Sequence, residues 1–199
     1  MNNLTFKPWI GPLYGKPDSF FSKKILIIGE SFYLTDDNRN NSQDFCIGLF
    51  GQVIETRCKK WGTKFFQRLF YPLAGKRSYH ASKEEWAAVW NSIAYNVYLQ
   101  TTELSKSRQK TSQDAWDKAP AALLATIEEC RPDAIIITSK GAYSHWNNYA
   151  YNNSNIPDLP VKGITHPSSR FRSQDVRMEI QDYFQKVGVE YSFNINTAS

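Results

Sequence analysis

The run Lys24-Ile25-Leu26-Ile27-Ile28-Gly29-Glu30-Ser31-Phe32-Tyr33 places four consecutive aliphatic residues behind a lysine pair and closes them with a glycine and two polar side chains. That is the pattern of a strand buried on both faces that stops at a tight turn. Ala134-Ile135-Ile136-Ile137-Thr138 is a second run of the same kind, and shorter β-prone stretches lie at 94–99 and 161–165. Helical patterns fill the intervals. Ser42 is placed to cap a helix through Phe45, Leu49, Phe50, Val53 and Ile54, with Gly48 and Gly51 weakening it. Apolar residues at 61, 65, 66, 69, 70 and 73 share one helical face, which Pro72 and Gly75 bring to an end. Ser82-Lys83-Glu84-Glu85 is a capping box that opens a third helix carrying Trp86, Val89, Trp90 and Ile93. A fourth spans about 112–129, kinked at Pro120 or starting there; a fifth, aromatic, follows Ser139-Lys140-Gly141; the last runs over about 173–186. Strands alternating with helices predict an α/β fold, a three-layer α/β/α sandwich around a mainly parallel four-stranded sheet. One domain covers 1–199, with 1–23 as an irregular, aromatic-rich segment packed on it.

The chain has 199 residues, with 24 basic and 19 acidic side chains and a net charge of +5. That excess is compatible with phosphate binding and does not single it out. Aromatic residues make up 15% of the chain, which serves either a packed core or stacking platforms for bases. The three cysteines, Cys46, Cys58 and Cys130, are widely spaced, show no C-x-x-C pattern and read as reduced thiols. Alone they build neither a zinc site nor a four-cysteine iron–sulfur cluster, so no metal and no cofactor are expected. No stretch approaches the ~18 apolar residues of a membrane span, and no targeting pattern opens the chain; a monomeric cytoplasmic protein is the expectation. Asp36 to Asn41 reads as a polar loop and 100–110 as a basic one.

In an open α/β sheet, ligands bind beyond the carboxyl ends of the strands. Three polar punctuations fall at such ends: Gly29-Glu30-Ser31, Tyr95-Asn96-Val97 and Thr165-His166-Pro167-Ser168-Ser169. They are expected to bring Glu30, Asn96 and His166 to one crevice. An isolated histidine is more often structural, but a carboxylate and an imidazole held across a cleft can orient water and stabilise a leaving anion. His80 and His145 have no such company and are assigned to surface or core.

These three motifs, in this order across residues 24–186, resemble those of the uracil-DNA glycosylase superfamily. Gly29-Glu30-Ser31-Phe32-Tyr33 is similar to its first motif, Tyr95-Asn96-Val97-Tyr98 to its middle one, and His166-Pro167-Ser168-Ser169-Arg170-Phe171 to its last. The resemblance implies hydrolysis of an N-glycosidic bond in DNA after the target base is flipped into a pocket, leaving an abasic site. On it, Glu30 and His166 are catalytic: Glu30 positions or deprotonates water, or holds the charged sugar, and His166 donates to the departing base. Gly29, Ser31, Tyr33, Phe45 and Asn96 form the substrate pocket, with Asn96 reading the pyrimidine edge. Phe45 is either a stacking partner or a core residue of its helix. Ser168 and Ser169 grip phosphates while Arg170 or Phe171 fills the gap in the DNA. Ser31 stands where the most active members have a water-activating aspartate, and Phe32 where a proline is usual. The implied substrate is therefore a modified pyrimidine, such as a hypermodified phage cytosine, or uracil, in antiviral defence or in repair. A glycosylase-like module that binds DNA or protein without cleaving it, and a hydrolase of free nucleosides, are the alternatives.

Overall fold

The buried aliphatic run becomes the middle of a sheet. The computed structural model describes residues 4–34, 42–56, 64–104 and 109–191. Strand β1 is Trp9–Ile10 and β2 is Ile25–Ser31; a single 3₁₀ turn, Ser42–Asp44, leads into helix α1, Phe45–Thr56. Then come α2 (Lys64–Ala74), α3 (Lys83–Asn91), β3 (Ile93–Leu99), α4 (Gln113–Cys130), β4 (Ala134–Ile137), α5 (Lys140–Tyr151), β5 (Val161–Gly163) and α6 (Ser173–Val187). The loop expected at 36–41, Cys58, Trp61 and part of the basic loop, 105–108, lie outside the described residues.

The sheet order is β1-β3-β2-β4-β5, with β2 parallel to both β3 and β4, and β4 parallel to β5. Period-two alternation then sorts the side chains onto two faces. Ile25, Ile27, Ile93, Tyr95, Val97, Ala134 and Ile136 join a core with Phe50, Phe66, Trp86, Trp90 and Phe184 from α1, α2, α3 and α6. Leu26, Ile28, Ala94, Tyr98, Ile135 and Ile137 join a second core with Leu123 and Ile127 of α4 and Trp146 of α5. The sheet therefore lies between two helical layers, and each of its central isoleucines contributes roughly 1.5–3 kcal/mol by burial. No helix among the described residues is long and apolar enough to cross a membrane.

The fold departs from the expected one in three places. It has five strands, because Trp9 and Ile10, read as irregular, pair antiparallel with Tyr95 and Ala94 and cover the edge of β3. Trp9 is fixed there by stacking on Phe50 at 5.3 Å and by donating from Nε1 to the Trp90 carbonyl. Second, β2 does not stop at Gly29: Gly29 pairs with Val97 and Ser31 with Leu99, because β3 continues in register beside it. Third, Pro120 lies inside α4 and does not start it; the start is Ser112, whose Oγ accepts the Ala115 amide. The capping box at Ser82 forms as expected, with Ser82 Oγ accepting from Glu85 N–H and the Glu85 carboxylate accepting from Ser82 N–H. Helix α2 runs through Pro72 and closes at Gly75, whose φ of +75° suits glycine.

Candidate active site

Parallel strands put the ends of β2, β4 and β5 on one rim, and Glu30, Ser139 and His166 all fall there. On the α1/α2 side of the rim, Gly29 leaves room for the Tyr95 hydroxyl: a β-carbon at position 29 would lie 2.2 Å from Tyr95 Oη. The Tyr95 ring is in turn surrounded by Phe32 at 6.2 Å, Phe50 at 5.0 Å and Phe65 at 6.2 Å. Burial pushes the Tyr95 phenol well above its ordinary pKa, so the group stays protonated. Tyr95, Phe50 and Phe32 are buried in the core below the rim, and of these rings only that of Phe65 is partly exposed.

Glu30 is half-buried at the end of β2. Ser139, buried at the end of β4, donates from Oγ to Glu30 Oε2, and the same oxygen accepts the Ala142 amide as the N-cap of α5. One hydroxyl thus fixes both the carboxylate and the helix start, and the carboxylate sits at the N-terminus of α5, where the helix dipole favours an anion. Thr138, also buried, donates from Oγ1 to the Ile28 carbonyl and holds the ends of β2 and β4 together.

His166 follows β5 and is half-buried, its ring 5.5 Å from that of Phe65. Its Nδ1 accepts the Ser168 amide at 3.1 Å. An acceptor carries no proton, so a neutral imidazole in this bond carries its hydrogen on Nε2. Burial lowers the His166 pKa below the ordinary value, and the nearby Glu30 carboxylate opposes that in part. The ring is therefore neutral at pH 7, with an N–H donor that has no partner among the described residues, within the electrostatic reach of Glu30. Its loop is tightly held: Ser169 donates to the His166 carbonyl from both Oγ (2.7 Å) and N (2.9 Å), and Arg68 of α2 donates to the Pro167 carbonyl at 2.7 Å.

The remaining expected residues divide. Asn96 does not reach the crevice. It is fully buried, Nδ2 donates to the Phe6 carbonyl and to Thr126 Oγ1, and Oδ1 accepts from the Val97 amide and from Gln100 Nε2. Alternation turns it toward α4, opposite to Tyr95, and every function of its amide is taken by the protein; the role of base reader passes from Asn96 in this geometry. Phe45 is half-buried with its ring against Phe32 at 5.0 Å and Phe6 at 6.4 Å, closer to its core reading than to a free stacking face. Phe171 also packs on the core and does not project as a wedge, whereas Ser168, Ser169 and Arg170 are exposed. Ser31 is half-buried in β2, and Tyr33 is 44% exposed just beyond it.

Ser139 and Phe65 are the site residues that reading by motif misses. Ser139 carried a signal, being the last polar residue between a buried strand and a helix, where N-caps occur. Phe65 carried none, since its spacing in α2 matches that of the core residues around it. His145 also gains company: Tyr98 Oη lies 2.8 Å from His145 Nδ1, with the Trp116 ring 5.2 Å from the imidazole, on the α4/α5 side of the sheet. A separate cavity of about 400 Å³, lined by Ile127, Ile135, Trp146, Leu159 and Val161, opens at the opposite rim, where β4 and β5 begin. No protein-family model and no curated protein matches this chain.

Proposed function

We propose that the chain is a metal-independent DNA N-glycosylase with a uracil-DNA glycosylase-like fold, acting on a modified pyrimidine or uracil. The observation that carries this reading is His166: a neutral imidazole held by the Ser168 amide, its Nε2–H without a partner among the described residues, in electrostatic contact with the anchored carboxylate of Glu30. In the reaction, the flipped base lies on the rim between Glu30, His166 and the partly exposed Phe65 ring, above the buried Tyr95. As the bond between C1′ and the base nitrogen breaks, its electron pair goes to the base, and the charge growing on the base oxygen accepts a hydrogen bond from His166 Nε2. The oxocarbenium-like sugar is met by a water whose proton passes to Glu30, giving the abasic sugar and the free base. Ser139 is a positioning residue that keeps Glu30 in place.

Asn96 contributes indirectly, by fixing β3 and the N-terminal segment behind the pocket. Without an amide at the base edge, the site selects by shape and by His166, which suits a base carrying a substituent better than strict uracil readout. Incubating the protein with uracil-containing, hydroxymethylated and glucosylated DNA, followed by alkali, tests the reading. Strand breaks that depend on alkali, and that fall at least ~100-fold in His166→Ala, the scale for losing a positioned donor, are expected. Binding without breaks on any of these DNAs overturns it in favour of a binding module.

A further inference from the structure

Next to the His166 loop, a turn between α2 and α3 presents an aromatic and basic surface that none of the chemistry above uses. The Tyr79 side chain is 75% exposed, with its ring 4.4 Å from that of His80, also exposed. Its ring offers a flat face on which a planar ligand can stack. The turn carrying it is fixed, because the His80 and Ala81 amides both donate to the Arg77 carbonyl. Arg77 in turn lies over the Tyr71 ring at 4.4 Å and donates to Ser173 Oγ at the start of α6. Ser173 comes two residues after Phe171, so the turn and the His166 loop are tied to one helix terminus.

Both signs of charge occur here, with Glu84 exposed at the start of α3, where it accepts from Ser82 Oγ. Arg77 and Arg172 are exposed, and the Arg77 bond to Ser173 Oγ brings Arg77 to the residue that follows Arg172. The acidic groups close to them are partly compensated: Asp175 lies 4.0 Å from Arg172, and Glu85 pairs with Lys76 at 2.8 Å. Two exposed arginines next to an exposed aromatic pair fit a polyanion whose units have flat faces, which is a nucleic-acid strand and not an acidic peptide. A tyrosine ring can stack only on a base whose face is free, and bases inside a duplex offer none.

We infer that the α2–α3 turn and the start of α6 form a track for an unpaired DNA segment flanking the target, with Tyr79 stacking on a base and Arg77 and Arg172 on phosphates. The track rests on the proposed glycosylase reading for where the target base lies, but binding to it is measurable without any chemistry. The test is fluorescence anisotropy of the full chain with a labelled oligothymidine of about 12 nucleotides, within the span that single-strand grooves cover, over a salt series. Tyr79→Ala is expected to weaken binding about tenfold and Tyr79→Phe to keep it. Arg172→Gln is expected to lower the salt slope by about 0.7, one phosphate contact on a single strand.

Equal affinity of parent and Tyr79→Ala overturns the track, as does competition by polyglutamate as effective as that by unlabelled oligothymidine, or tighter binding to a blunt duplex than to the single strand. Since the oligothymidine carries no excisable base, a parent that binds it through Tyr79 but releases no base from any DNA keeps the track and removes the glycosylase reading. A parent that releases base with Tyr79→Ala binding unchanged does the reverse.

Discussion

Replacing Asn96 by alanine separates a base-reading amide from a structural one. The amide makes four hydrogen bonds, to the Phe6 carbonyl at 3.0 Å, Thr126 Oγ1 at 3.2 Å, the Val97 amide at 2.9 Å and Gln100 Nε2 at 3.0 Å. Two of the partners keep other bonds: Thr126 donates to the Ala122 carbonyl, and Gln100 Nε2 donates to the Val97 carbonyl. The Phe6 carbonyl and the Val97 amide lose this partner inside the protein. Leaving a buried polar group unsatisfied costs about 1–3 kcal/mol, so the two together cost on the order of 3 kcal/mol. For a protein of this length, that corresponds to a fall in Tm of roughly 6–12 °C. The network also holds the N-terminal segment, since Gln100 Oε1 accepts the Phe6 amide and the Gln100 carbonyl accepts from Thr5 Oγ1. Hydrogen exchange at residues 5–7 should therefore rise with the substitution. Thermal unfolding and exchange of parent and Asn96→Ala make the comparison, with base release per folded molecule as the second readout. A parent-like Tm combined with complete loss of base release would contradict a structural role for Asn96, because the amide would then be working in the cleft.

Three further outcomes follow from the site. His166 is held below its ordinary pKa in the native state, so the unfolded chain binds more protons as the medium acidifies; the stability gained from a neutral His166 is complete above pH ~6.5 and is lost as pH falls from there through the lowered native value. Tm measured against pH should show that loss in the parent, and His166→Asn should flatten it; equal slopes would contradict the assignment. Ser139→Ala removes both the α5 cap and the anchor of Glu30: a loss of about 1 kcal/mol in stability should accompany a fall in kcat larger than any change in KM, whereas a change in stability alone would deny Ser139 its positioning role. Gly29→Ala forces a β-carbon against Tyr95 Oη and should destabilise by about 1–3 kcal/mol; adding Tyr95→Phe should recover part of that, and strictly additive effects would show that the close approach is not the cause.

How much of this was readable in advance depends on where each signal lives. The aliphatic runs at 25–28 and 134–137 and the Ser82 capping box are local patterns, and local physics decides them. The edge strand at Trp9–Ile10 is two residues long and owes its existence to an unpaired edge supplied by β3, which no local pattern carries. The same applies to β2, whose extension through Ser31 depends on β3 continuing beside it. In the site, Glu30 and His166 were legible because each follows a β-prone run at the carboxyl end of a parallel strand, the rim where open α/β sheets bind ligands. Asn96 looked equivalent, and the difference is one of parity. In a strand, the side of the sheet alternates with each residue, and Asn96 falls on the α4 side, where Thr126 and the Phe6 carbonyl use its amide. Phe65 was hidden for the opposite reason, being one apolar residue on an apolar helical face, its contact with His166 set by how α2 packs on the β5 loop.

The most direct test of the account is mass spectrometry of bases released from a set of natural and phage DNAs. The parent should liberate an intact pyrimidine and leave the phosphodiester backbone uncut until alkali is added. Glu30→Gln and His166→Ala, each folded by thermal unfolding, should release it at least ~100-fold more slowly. Release at the parent's rate by both variants, or no free base from any DNA in the set, would contradict the claim that these two residues form a site for base excision.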